Sequence, residues 1–94
     1  MKIRLRYCSS WNYEPKAVSL AAKLLVQYKR QISGIELEPS IGGCFELTVA
    51  DELIYSKLET GVFPEEDEML KQVGKRIHNW QAERKTTYER GLWI

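Results

Sequence analysis

Ile3, Leu5 and Tyr7 alternate without a break with Lys2, Arg4 and Arg6 at the start of the chain. Only an extended segment sorts such a set onto two opposite sides, so this stretch predicts a strand with one apolar and one charged, solvated face. The period then changes. Pro15 suits the first turn of a helix, where its missing N–H costs no hydrogen bond, and Ala17, Val18, Ala21, Leu24, Leu25 and Tyr28 recur at helical spacing. Together they predict a helix over 14–31. Ser33-Gly34 ends it, and Ile35-Glu36-Leu37-Glu38 alternates again until Pro39, which has no N–H with which to continue a ladder. Strand, helix and strand at this spacing make a minimal βαβ unit, and its right-handed crossover sets the two strands parallel.

The turn-rich segment Pro39-Ser40-Ile41-Gly42-Gly43 leads to a third alternating stretch, with Phe45, Leu47 and Val49 against Glu46 and Thr48. Asp51-Glu52 is a short connection to Leu53-Ile54-Tyr55-Ser56, so strands three and four form a hairpin. Glu65 to Glu68 crowd the first turn of a second helix, Met69, Leu70, Val73 and Ile77 form its apolar stripe, and Lys71, Lys75 and Arg76 gather toward its end, the charge order a helix dipole favours. His78 to Ile94 carries Trp80, Tyr88, Leu92 and Trp93 among charges with no clean period. The expected fold is therefore α/β, a two-layer β-α-β-β-β-α sandwich in which a four-stranded mixed sheet carries both helices on one face. Its open face sets Arg4 and Arg6 across from Glu36, Glu38 and Glu46. Residues 1–79 are read as one domain and 80–94 as a C-terminal extension with no assigned structure.

Charge excludes little by itself, but a formal net charge of +1 gives no reason to expect nucleic acid or an anionic membrane as a partner. The first residues lack the continuous apolar run of a signal peptide, and no stretch of about 18 apolar residues follows. A cytoplasmic chain is expected. Two cysteines, 36 positions apart, are too few for a disulfide framework, and one histidine offers no metal-ligand spacing. His78, near a helix end, is read as a dipole contact and the acids at 65–68 as a solvated helix start, so no metal is placed.

Cys8 follows strand one and precedes helix one, the place where reactive groups collect in open α/β sheets. A thiolate near a helix N-terminus is stabilised by the dipole and by unpaired N–H groups, with Ser9, Ser10 and Asn12 close by in sequence as further donors. The plainer reading makes Cys8 a small hydrophobe at a strand end. Tyr7 and Tyr13 divide in the same way between hydrogen-bonding a thiolate and simple packing.

Four pieces of the sequence carry a resemblance. Tyr7-Cys8-Ser9-Ser10-Trp11-Asn12-Tyr13, Gly42-Gly43-Cys44-Phe45-Glu46-Leu47, Ile54-Tyr55-Ser56-Lys57 and Gly61-Val62-Phe63-Pro64 together resemble the selenoprotein W/T/H (Rdx-type) family in its bacterial, cysteine-containing branch. The match runs in register over roughly residues 3–77. The resemblance implies a thioredoxin-like fold and a thiol redox function resting on a C-x-x-C or C-x-x-selenocysteine motif after strand one. Cys8 matches the first motif position, but Trp11 stands at the second, and indole can neither attack nor resolve a disulfide.

Three readings follow. In the first, Cys8 is a lone thiolate that takes up glutathione or a peroxide oxygen and is resolved by an external thiol, with Trp11 as an apolar wall. Glutathione is then a co-substrate and no other cofactor is expected. In the second, Cys44 replaces the missing thiol, since the family fold brings the Gly42-Gly43 loop beside the motif. Phase argues against a simple version of this, because Cys44 alternates with Phe45 and should share the open face with Glu46 and Thr48. In the third, the redox function is lost and Trp11, Tyr13 and Phe63 form an aromatic patch that binds a protein partner. A homodimer through an edge strand or the aromatic C-terminal residues is compatible with each.

Overall fold

The computed structural model describes the backbone of residues 1–92 and the side chains of residues 1–80. Strand β1 (Lys2–Cys8) is followed by helix α1 (Glu14–Tyr28), a single 3-10 turn at Lys29–Gln31, strand β2 (Gly34–Ser40), strand β3 (Phe45–Val49), strand β4 (Glu52–Ser56), a one-turn helix α2 (Lys57–Thr60) and helix α3 (Glu66–Leu92). The sheet order is β2-β1-β3-β4. Strand β2 runs parallel to β1, while β1 with β3 and β3 with β4 are antiparallel. This is a thioredoxin-like α/β sandwich with a mixed four-stranded sheet.

Alternation decides which face is buried. Ile3 and Leu5 of β1 and Phe45, Leu47 and Val49 of β3 join Ala17, Leu20 and Leu24 of α1 and Met69, Val73 and Ile77 of α3 in one cluster, so both long helices lie on the same face of the sheet. Each of these side chains except Ala17 contributes about 1.5–3 kcal/mol on leaving water. On the opposite face Lys2 and Arg4 approach Glu36 at 3.3 and 3.7 Å, and Arg6 meets Glu38 at 3.1 Å. All are solvent-exposed pairs of the kind worth at most about 1 kcal/mol, so the apolar side fixes the strand register.

Several boundaries differ from expectation for local reasons. Pro39 does not stop β2 but pairs with Tyr7 within it. Strand β2 is an edge, where a missing N–H is tolerated when it faces away from the partner strand. The hairpin turn is Ala50-Asp51, not Asp51-Glu52: both residues have positive φ, 50° and 67°, and Val49 faces Glu52 across the turn. Two successive left-handed residues match the twist of a tight hairpin. Helix α1 ends at Tyr28, three residues early, and α2 has no counterpart in the sequence expectation. Glu46, expected opposite Arg6 as an ion-pair partner, accepts instead from Ser56 Oγ at 2.5 Å and from the Lys57 N–H at 2.8 Å, which anchors the start of α2. Helix α3 passes through position 79 without a break. The side chains of Tyr88, Leu92 and Trp93, invoked for a dimer contact, lie outside the described residues.

Candidate functional site

Cys8 closes β1, with β2 on one side and β3 on the other. Its N–H donates to the Cys44 carbonyl at 2.9 Å. That bond adds one rung to the antiparallel pairing that sets Arg6 against Glu46 and Tyr7 against Phe45. On the β2 side Cys8 is paired with Ser40, whose carbonyl accepts from Ser9 N–H at 3.0 Å and from Ser9 Oγ at 3.2 Å. The Cys8 carbonyl accepts the Tyr13 N–H at 3.2 Å across the turn Ser9 to Asn12. Asn12 takes the left-handed conformation (φ 62°) there and donates to Ser9 O at 3.3 Å. Tyr13 O in turn accepts from Ala17 N–H at 3.1 Å, so the turn passes directly into α1.

The phase argument against Cys44 reverses on this geometry. Extending the alternation of β3 back by one residue puts Cys44 on the face of Glu46 and Thr48, and the alternation of β1 assigns Cys8 to that face as well, with Lys2, Arg4 and Arg6. The two cysteines stand opposite one another in register. Both are free thiols, and both are buried, Cys8 at 0% and Cys44 at 3% exposure, at the end of a face that is elsewhere open to water.

Trp11 lies across the backbone just before Cys44. A Cβ built on Gly43 would overlap the six-membered ring of its indole, so only glycine fits beneath it. Trp11 is nevertheless 61% exposed, and it forms the outer end of a chain of rings rather than an inner wall. It meets Tyr13 edge-on at 6.1 Å, Tyr13 meets Phe63 at 4.7 Å, and Phe63 meets Phe45 at 5.4 Å. Lys16 Nζ sits 4.5 Å from the Phe63 ring centre, and Lys57 Nζ lies 5.4 Å from that of Tyr13 and 5.1 Å from that of Phe63. Of the residues singled out in the sequence, Cys8, Cys44, Ser9 and Trp11 meet at the end of β1. Tyr13, just before α1, and Phe63, in the loop before α3, lead inward from Trp11 to the buried Phe45, and Ser10 is an exposed turn residue.

Sequence reasoning missed Lys16, Lys57 and Glu46. The two lysines read as ordinary surface charges. Glu46 reads as the outward residue of an alternating strand, although its carboxylate holds the α2 turn that carries Lys57. A cleft of about 280 Å³ opens on the helix side of the sheet, lined by Lys16, Ser19, Phe45, Phe63 and Glu66 among others, and it reaches neither cysteine. Glu66 on its wall accepts from Lys23 Nζ at 2.9 Å and from Ser19 Oγ at 2.7 Å. The hydrogen bond from Lys23, then that from Ser19, hold its carboxyl below the usual carboxylate range. Among the described residues no group of three or more His, Cys, Asp or Glu is placed to hold a metal ion. No helix among them is long and apolar enough to cross a membrane.

Chemically, the arrangement offers two buried free thiols whose residues are joined by a backbone hydrogen bond between neighbouring strands. Residues 2–75 match the Rdx family. The chain is 33% identical over 92 residues to Migration and invasion enhancer 1 of Bos taurus, covering 96% of this chain and 76% of that protein. It is 37% identical over 59 residues to selenoprotein W of Mus musculus, covering 61% and 66%. The crystal structure of a selenoprotein W-related protein from Vibrio cholerae superposes with a TM-score of 0.78 at 28% identity, over 81% of this chain and 95% of that one.

Proposed function

We propose, from the premise that this chain belongs to the Rdx family, that it is a thiol-based redox protein of the selenoprotein W kind in which Cys8 is the attacking group. The observation that carries this reading is the position of Cys8 at the end of a central strand, where its N–H and carbonyl are both engaged and the chain turns at once into α1. In this reading the Cys8 thiolate attacks a hydroperoxide, forming an S–O bond while the O–O bond breaks and alcohol or water leaves. Alternatively it attacks oxidised glutathione, forming a mixed disulfide as glutathione thiolate departs. Trp11, at the family's second motif position, supplies no electrons to either product. An external thiol, glutathione or a protein thiol, converts the sulfenic acid to a mixed disulfide with loss of water, and a further thiol exchanges with the mixed disulfide to return Cys8 to its reduced state. The setting that suits this chemistry is the reduced cytoplasm.

Because Cys8 is fully buried, attack requires a local opening of the fold around it. The test is mass-mapped alkylation of the reduced protein by iodoacetamide across pH, followed separately at Cys8 and Cys44. The expected result is a Cys8 rate that levels off below the ordinary thiol pKa of about 8.5. A Cys8 that reacts only after unfolding would instead favour the second reading, an interaction domain that presents the exposed Trp11 and has no thiol chemistry. The 0% exposure of Cys8 beside the 61% exposure of Trp11 is the observation on that side.

A further inference from the structure

We infer that Cys44 is the resolving thiol for Cys8, and that oxidation by a small hydroperoxide joins the two in a cross-strand disulfide between β1 and β3. The inference rests on the reading of Cys8 as the attacking group and names the partner that the turn motif lacks. Three observations carry it. The Cys8 N–H to Cys44 O bond extends the β1–β3 register by one rung, so the two residues are direct antiparallel partners. Partners bonded in this way have Cα atoms about 5.5 Å apart, inside the roughly 4.4–6.8 Å range of disulfides. By strand alternation both side chains leave the same face, and both are buried, Cys8 completely.

Opposed Cβ atoms at such a pair lie about 4.5–5.5 Å apart, whereas a disulfide draws them to about 3.8 Å. The strands must therefore pull together at this rung, and a bond closed under that strain is readily reduced, which suits a reversible switch more than a permanent staple. Burial also selects the oxidant. A molecule the size of hydrogen peroxide can enter on a small excursion of the Ser9 to Asn12 turn, and glutathione needs a much wider opening.

The electrons balance over two steps. Cys8 thiolate attacks peroxide, giving the sulfenic acid as the O–O bond breaks and hydroxide leaves. Cys44 thiolate then attacks the Cys8 sulfur, expelling the oxygen as a second hydroxide, and the protons released by the two thiols convert both hydroxides to water. The two thiols are oxidised together and one peroxide is reduced.

The experiment treats the reduced full chain with hydrogen peroxide, blocks free thiols, digests without reductant and follows the peptides 7–16 and 31–57, each of which carries one cysteine. Wild type is expected to yield these two peptides linked, with the intact protein still monomeric and the link lost on treatment with dithiothreitol. Cys44→Ala should abolish the link and carry about tenfold more Cys8 sulfinic acid, because the sulfenic acid has no neighbour to condense with. Cys44→Ser, with far-UV circular dichroism on both variants, separates loss of the thiol from loss of the fold. Oxidation confined to Cys8 in wild type, with no linked peptide, overturns this inference and leaves the proposed function standing. If neither cysteine reacts before unfolding, this inference and the proposed function both fall.

Discussion

At Gly43 two requirements meet in one residue. Its φ of +73° lies in the left-handed region, and the Trp11 indole occupies the space a side chain would need. Gly42 shares the first requirement (φ +81°), but a Cβ added there would have nothing within 4 Å. The pair therefore separates backbone strain from displacement of Trp11. Gly42→Ala and Gly43→Ala are each expected to lose about 1–3 kcal/mol in urea unfolding, but only Gly43→Ala should speed alkylation of Cys8 and Cys44 in the folded protein. Equal labelling rates in the two variants would show that the indole does not guard the thiols. Much at this scale is legible in the sequence. Parity alone places Cys8 with Arg6 and Cys44 with Glu46, on one face. That they stand opposite each other is not legible, because the β1–β3 register depends on how the intervening helix and loops return the chain. The turn of Glu46 toward Ser56 is equally hidden, since alternation gives the side of a strand and not the partner found there.

Between elements, Tyr28 of α1 reaches across to α3 and donates its hydroxyl to the Leu70 carbonyl at 2.5 Å. A Cβ on Gly74 would collide with that hydroxyl. Alanine in a helix interior is ordinarily favoured over glycine by about 1 kcal/mol. Here overpacking should win, and Gly74→Ala is expected to destabilise by about 1–3 kcal/mol. In a Tyr28→Phe background most of that loss should vanish, which a double-mutant cycle in urea measures directly. Periodicity makes β1, α1, β3 and the first half of α3 legible, because each has a core to face. It fails at Pro39, where edge position overrides the residue's reputation as a strand breaker, and at α2, which is held by one carboxylate and no apolar stripe. It also fails after Ile77, where α3 continues to Leu92 although the sequence shows no apolar period to announce it.

Over the whole molecule, side-chain bonds to two carboxylates tie α3 to the rest of the fold. Glu66 at its start bonds Lys23 and Ser19 of α1, and Glu52 of β4 bonds Arg76 at 3.0 and 3.2 Å. Both carboxyls are held below their ordinary value of 4.5, Glu52 by the hydrogen bond from Arg76 and Glu66 by that from Lys23 first. A lowered folded pKa means stabilisation that is complete above about 4.5 and is lost as pH falls through the folded value. The protein should therefore lose stability on acidification below about pH 4.5. Glu66→Gln should flatten that decline while lowering the plateau slightly, since these pairs are exposed and screened by solvent and salt. Urea midpoints between neutral and acidic pH, at low and high salt, check both the slope and its screening. The opposition of Cys8 and Cys44 has a different kind of consequence, one of topology. Joined there, the chain is no longer a line but a closed ring that holds all of α1 and β2, with two free tails. A segment inside a ring cannot be lent to another copy of the chain by its ends, so closing the disulfide bars exchange of β2 between molecules.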